Sequence, residues 1–195
     1  MIIKKIIGID PGHAGGIAII TKDNYEFHKM PVITTVSKTK FKDSVCKKTG
    51  QLIRKYRSSK KTDVEGLNKI ISENKEGAVV YLESVSAWVS DTDKSVGKQF
   101  GIEKLVKNHE AIKTVCLING IPLISISSRS WQSPNKLTGM SKIERKGMLK
   151  SIAQTKFPSD KMTLQNCDAY LIAHHGLTKI SQDKKGELLK AGLSL

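Results

Sequence analysis

The chain holds only three cysteines, Cys46, Cys116 and Cys167, an odd count at spacings that suit neither a disulfide framework nor a structural zinc site. Cys116 and Cys167 fall in apolar helical patterns, where thiols pack as small hydrophobes, so no disulfide and no structural zinc are expected. Long apolar runs are also missing, which excludes a helix of roughly 20 apolar residues crossing a bilayer. Met1 to Ile7 is too short in its apolar part for a signal segment and no small-residue cleavage site follows it, so an intracellular protein is expected. Acids are scarce: 18 Asp+Glu stand against 33 Lys+Arg, a net charge of +15. Such an excess calls for a polyanionic partner. Nucleic acid suits it better than anionic lipid, because no basic amphipathic helix with a strong apolar face is evident.

What is present fits one α/β domain spanning residues 1–195. At this length two cores would be cramped, and 38% hydrophobic with 26% charged residues is a globular balance. Ile6, Ile7 and Ile9 form a β-branched run, Pro11, Gly12, Gly15 and Gly16 mark a turn, and Ile17 to Ile20 return. Asp10 then closes a central strand. Asp-Pro-Gly is ordinary turn chemistry, yet an acid at a buried strand end is costly unless a cation, a metal or water compensates it. Tyr25 to Met30 supplies a third, edge strand.

Between Lys38 and Lys61 lie ten Lys/Arg and one Asp. With few apolar anchors, this basic insert reads as a solvated surface loop that binds phosphates without reading sequence. Thr62-Asp63-Val64-Glu65 resembles a capping box ahead of a helix carrying Val64, Leu67, Ile70 and Ile71. A buried strand, Ala78 to Leu82, follows and ends in Glu83; a helical crossover lays it parallel to the first, with Glu83 beside Asp10. Ser84 to Gly101 reads as a polar loop with Trp88 and Phe100, and Ile102 to Asn119 as a helix with His109 on its core face. Ile121 to Ile126 is the next parallel strand, opening into a loop with Arg129. Ser141-Lys142-Ile143-Glu144 is a capping box, and Leu149, Ile152 and Ala153 face inward on the helix it starts. Lys142, Lys146 and Lys150 recur at i, i+4, i+8 with Arg145 beside them, a stripe read as solvated or as a phosphate track. Leu164 to Leu177 reads as the last helix. Asp168 there shares a face with Leu171 and Ile172, which is unusual for an acid unless it points at something positive.

Three strands, helix, strand, helix, strand and two helices, with acids at these three places, resemble the ribonuclease-H-like superfamily. Within it, Gly8-Ile9-Asp10-Pro11-Gly12, Tyr81-Leu82-Glu83-Ser84-Val85 and Asp168-Ala169-Tyr170-Leu171-Ile172-Ala173 resemble the motifs of RuvC-type Holliday-junction resolvases, including phage, viral and organellar relatives. The resemblance covers nearly the whole chain outside the basic insert. It implies a mixed five-stranded sheet, three antiparallel strands then two parallel, flanked by helices. It also implies a homodimer, joined through the helix from Ile102 to Asn119, that resolves four-way or branched DNA. Two Mg²⁺ ions, replaceable by Mn²⁺, would sit on catalytic Asp10, Glu83 and Asp168, with Asp10 bridging both; hard oxygen ligands and paired metals suit phosphodiester hydrolysis. Trp88 and Phe100 fall where the family carries junction-contacting aromatics, and Arg129, Lys142, Arg145, Lys146 and Lys150 are candidate DNA contacts.

One position departs from the family. Where a fourth acid or histidine usually precedes the final carboxylate by three or four residues, this chain has Gln165 and Leu164. Gln165 offers a carbonyl oxygen to a metal but no charge; Asn166 and Asp160 are nearby substitutes. The departure motivates a second reading, a junction-binding protein with weak or lost catalysis. Asp10-Pro11-Gly12 also resembles the first phosphate loop of actin-like and sugar kinases, but those repeat the fold twice and 195 residues hold one copy.

Overall fold

A computed structural model describes residues 3–45, 52–85, 96–135, 137 and 139–190; of 37–45, 52–57, 96–100 and 183–190 the backbone alone is described. The elements in chain order are β1 (Lys5–Asp10), β2 (Gly16–Ile20), β3 (Tyr25–Lys29), β4 (Val32–Val45), β5 (Leu52–Thr62), α1 (Val64–Glu73), β6 (Ala78–Glu83), α2 (Val96–Ile118), β7 (Leu123–Ile126), α3 (Ser128–Gln132), α4 (Lys142–Lys156) and α5 (Cys167–Lys190). Five strands form one sheet in the order β3-β2-β1-β6-β7. β1, β2 and β3 pair antiparallel, and β6 and β7 join parallel to β1. This is the mixed five-stranded sheet, three antiparallel strands then two parallel, that the sequence reading expects.

Strand alternation divides the core into two layers. Ile7, Ile9, Ile17, Ile19, Val80 and Leu82 pack on one side against Leu67 and Ile71 of α1 and Ile112, Val115 and Cys116 of α2. Ile6, Ala18, Ile20, Val79 and Tyr81 face the other side, toward Leu149 and Ala153 of α4 and the stretch Ala169 to Ala173 of α5. Cys116 and Cys167 are buried free thiols, one in each layer. Among the described residues no helix is long and apolar enough to cross a membrane.

Helix α5 lies directly on β1. A Cβ built on Gly8 would stand 2.3 Å from the Ala173 nitrogen and 2.4 Å from the Ala169 oxygen, so only glycine permits this approach. Small residues on both elements thus bring the two backbones together.

The basic insert is an antiparallel ribbon rather than a loop: β4 pairs β5 from Val32↔Thr62 to Val45↔Leu52, with register shifts between Val36 and Lys42. Its ladder hydrogen bonds are local to the two strands, and its root is bonded to the body through Thr62 and Asn108. The clue was Lys38, Lys40 and Lys42 alternating with Thr39 and Phe41, a strand period masked by the density of charge. Boundaries also differ from the sequence reading. Helix α1 is capped by Asp63, whose side chain accepts from the Gly66 N–H, and Val64 is exposed. Helix α2 starts at Val96, so Phe100 is helical. Helix α5 starts after Asn166, whose side chain accepts the Thr163 N–H and holds the preceding turn. The Ser141–Glu144 capping box on α4 forms as expected.

Replacing Gly8 with alanine forces β1 and α5 apart, and the expected cost is about 3 kcal/mol or more, read as a lower urea midpoint.

Candidate active site

Period-two alternation places the acids before any other force acts. Asp10 continues the Ile6–Gly8 face of β1, and Glu83 continues the Val79–Tyr81 face of β6, so both lie on the α5 side of the sheet. The parallel register pairs Ile9 with Leu82, which sets Asp10 beside Glu83 at adjacent carboxyl ends. Asp168 lies in the first turn of α5, one residue before the Ala169 that rests on Gly8. The three acids therefore gather although they are far apart in sequence.

Asp10 accepts the Gly12 N–H at 3.1 Å on Oδ1. Gly15 backs the same carboxylate, since a Cβ there would come within 2.7 Å of Oδ2. Burial pushes the Asp10 carboxyl up to about 6, Gly12 opposes this, and the charges of Glu83 and Asp168 add to the rise while Lys146 lowers it. Glu83 Oε1 accepts from Ser128 Oγ and, at 3.3 Å, from the indole Nε1 of Trp131. Asp168 is buried and pairs with the Lys146 ammonium through Oδ2, while the Cys167 thiol donates to Oδ1 at 3.4 Å. Burial and the neighbouring Asp168 push that thiol up to about 12, so it stays protonated.

Lys146 departs from the predicted exposed stripe. It is half-buried and turned into the acids, because it shares the three-and-four spacing of Leu149 and Ala153, the inward residues of α4. Burial disfavours its charge, but the bond to Asp168 and the Asp168 charge outweigh that and raise its pKa. Lys142 and Lys150 are exposed. Arg129 and Arg145 line one open groove of about 630 Å³ together with Ser128, Gln132, Leu137 and Met140; its Ser128 touches Glu83. Trp88 lies outside the described residues, and of Phe100 only the backbone in α2 is described.

The substitutes for a fourth acid are otherwise engaged. Asn166 accepts from Thr163 and donates to the Lys161 carbonyl. Asp160 accepts from the Tyr170 hydroxyl. Gln165 sits part-buried in the turn before α5, with its backbone N–H on Thr163 Oγ1 at 3.3 Å.

Sequence reasoning missed Ser128, Trp131 and Asn108. The register Glu83↔Ile126 puts the residues after β7 beside Glu83, a consequence of strand order that no motif carries. Asn108 of α2 is buried and donates to the Pro11 carbonyl in the Asp10 turn.

Among the described residues, no three Asp, Glu, His or Cys side chains stand close enough to enclose an ion between them. Glu83 is held by Ser128 and Trp131, and Asp168 by Lys146. The donor chemistry nonetheless fits a hard divalent cation. The converging donors are carboxylate oxygens, and their mutual repulsion at Asp10 is what a cation relieves.

No family model matches the sequence, and no curated protein matches it. Among solved structures, RuvC of Thermus thermophilus in complex with a Holliday-junction substrate aligns at 15% identity, covering 92% of this chain and 96% of that one, with a TM-score of 0.45. A second Thermus thermophilus RuvC structure aligns at 13% identity, covering 88% and 92%, with a TM-score of 0.44.

The raised Asp10 pKa fixes a sign. The native state binds its proton more tightly than the unfolded chain, so stability falls as pH rises from about 4 through about 6. In EDTA at pH 7.5, Asp10→Asn is expected to be about 1–3 kcal/mol more stable than wild type, with the gap closing near pH 4 in urea unfolding.

Proposed function

We propose that this chain is a divalent-metal-dependent endonuclease that cuts four-way or branched DNA. The observation that carries the reading is the convergence of Asp10, Glu83 and Asp168 on one face of the sheet, at the carboxyl ends of β1 and β6 and the start of α5. Net charge of +15 supplies the affinity for a polyanion.

Asp10, Glu83 and Asp168 are the residues that would hold Mg²⁺, or Mn²⁺ in its place, with Gln165 as a neutral oxygen donor. When bound, the metal supplies an activated water and charge stabilisation at the attacked phosphate. The chain's own residues do the positioning. Gly12 and Gly15 fix the Asp10 carboxylate, and Ser128 and Trp131 orient Glu83. Lys146 neutralises Asp168 and holds its carboxylate in place, where it would help to hold the metal. Arg129 and Arg145 in the groove, with the exposed Lys142 and Lys150, contact phosphates, and Trp88 and Phe100 contact unpaired bases. The active form is a homodimer making two symmetric cuts.

A second reading, binding without efficient cleavage, has one observation in its favour: Lys146 already holds Asp168, and Gln165 brings no fourth charge. A nicking assay on a synthetic mobile four-way junction separates the two. Mg²⁺-dependent cleavage is expected, abolished by Asp10→Asn; its absence in the wild type favours binding alone.

Glu83→Gln and Asp168→Asn are expected to bind the junction within about threefold of wild type while cleaving it at least 100-fold more slowly, as loss of a group that stabilises transition-state charge would cause. Gln165→Asp adds the missing charge and is expected to lower the Mg²⁺ concentration at half-maximal rate, measured by titration.

A further inference from the structure

The ribbon leaves the body at the site's own end of the sheet. Met30, just after β3, donates its N–H to the Gly15 carbonyl at 3.3 Å, and β4 begins two residues later. The returning strand β5 ends at Thr62, whose hydroxyl bonds to the Asn108 side chain, and Asn108 in turn bonds to the Pro11 carbonyl. One buried amide therefore ties the ribbon's root to the turn that carries Asp10.

This tie aligns three basic residues. Lys60 is two residues before Thr62 and so shares its strand face; Lys104 is one helical turn before Asn108 on the same face of α2; His13 is two residues past Pro11. Both lysines are exposed. The His13 imidazole is held below its usual range by partial burial and by the charges of Lys104 and Lys60. The charges of Lys104 and Lys60 both reach the His13 ring, so the three groups share one place.

We propose that Lys60, Lys104 and His13 form a phosphate clamp at the ribbon root, which takes the sugar-phosphate backbone of the duplex arm flanking the strand to be cut. The ribbon then continues along that arm: β4 has 14 residues, roughly 45 Å at strand spacing, and the segment from Lys38 to Lys61 carries ten Lys/Arg. Because the root is fixed to the Asp10 turn, gripping the arm sets where the scissile phosphate falls. This rests on the nuclease reading above.

The test is the double variant Lys60→Ala/Lys104→Ala of the full chain, in an Asp10→Asn background for binding and the native background for cleavage. Junction affinity, followed by anisotropy from 50 to 250 mM KCl, is expected to fall about 10-fold near 100 mM, with the log–log salt slope shallower by roughly two. Single-turnover cleavage at saturating protein is expected to spread over neighbouring phosphates, because the arm is no longer held in one register, whereas the native protein cuts at one position. Lys22→Ala/Lys75→Ala, at the opposite end of the sheet, removes the same charge and is expected to change neither. Unaltered affinity and slope in the first variant, or equal losses in both, overturn the clamp. Wild-type cleavage beside an indifferent double variant removes the clamp alone. An inactive wild type whose binding to linear duplex still depends on Lys60 and Lys104 removes the nuclease reading and keeps the clamp.

Discussion

The seat of α5 on β1 is the contact on which the rest depends. Gly8 allows the helix backbone at Ala169 and Ala173 to meet the strand with no side chain between them. Gly176 repeats the arrangement one helical turn on, where a Cβ would run into the Tyr81 ring. Dense packing has little give, so these approaches fix the height and the register of the helix over the sheet. Asp168, one residue before Ala169, is carried to the strand ends by that register. A bulkier residue at position 8 would lift the helix and separate the acids without altering any of them.

Once gathered, the acids impose a cost on the fold. Asp10 is kept largely from water, and its two acidic neighbours add to the penalty of ionising it. Lys146 offsets part of this through Asp168, and the Gly12 N–H offsets part at Asp10 itself. Local stability is given up where burial and like-charge contact raise the Asp10 carboxyl, a pattern common at sites that tune carboxylates.

The ribbon joins this centre through Asn108. A polar side chain that is 1% exposed costs free energy unless its bonds are made, and here they are made to the Asp10 turn on one side and to Thr62 on the other. The amide thus couples the basic ribbon to the turn that carries Asp10. An isolated two-stranded ribbon is marginal in water, and this anchorage gives its root a fixed direction.

Much of the fold was written in local pattern. Strand runs, the helix following Ser141, the order of elements and the three acids at element ends follow from period and capping, which depend on neighbours in sequence. The ribbon hid because charge density obscured its alternation, and the ends of α2 and α5 hid because propensity marks helix termini weakly. The direction of Lys146 could have been inferred from its spacing to Leu149 and Ala153. The partners of Glu83 at Ser128 and Trp131, and the bridge through Asn108, could not. The sequence by itself determined which faces are apolar and which residues carry charge, since both are properties of composition and period. Only the tertiary structure decided which charges meet, because those distances depend on how closely two backbones pack, and glycine and alanine at the contact set that through space rather than along the chain.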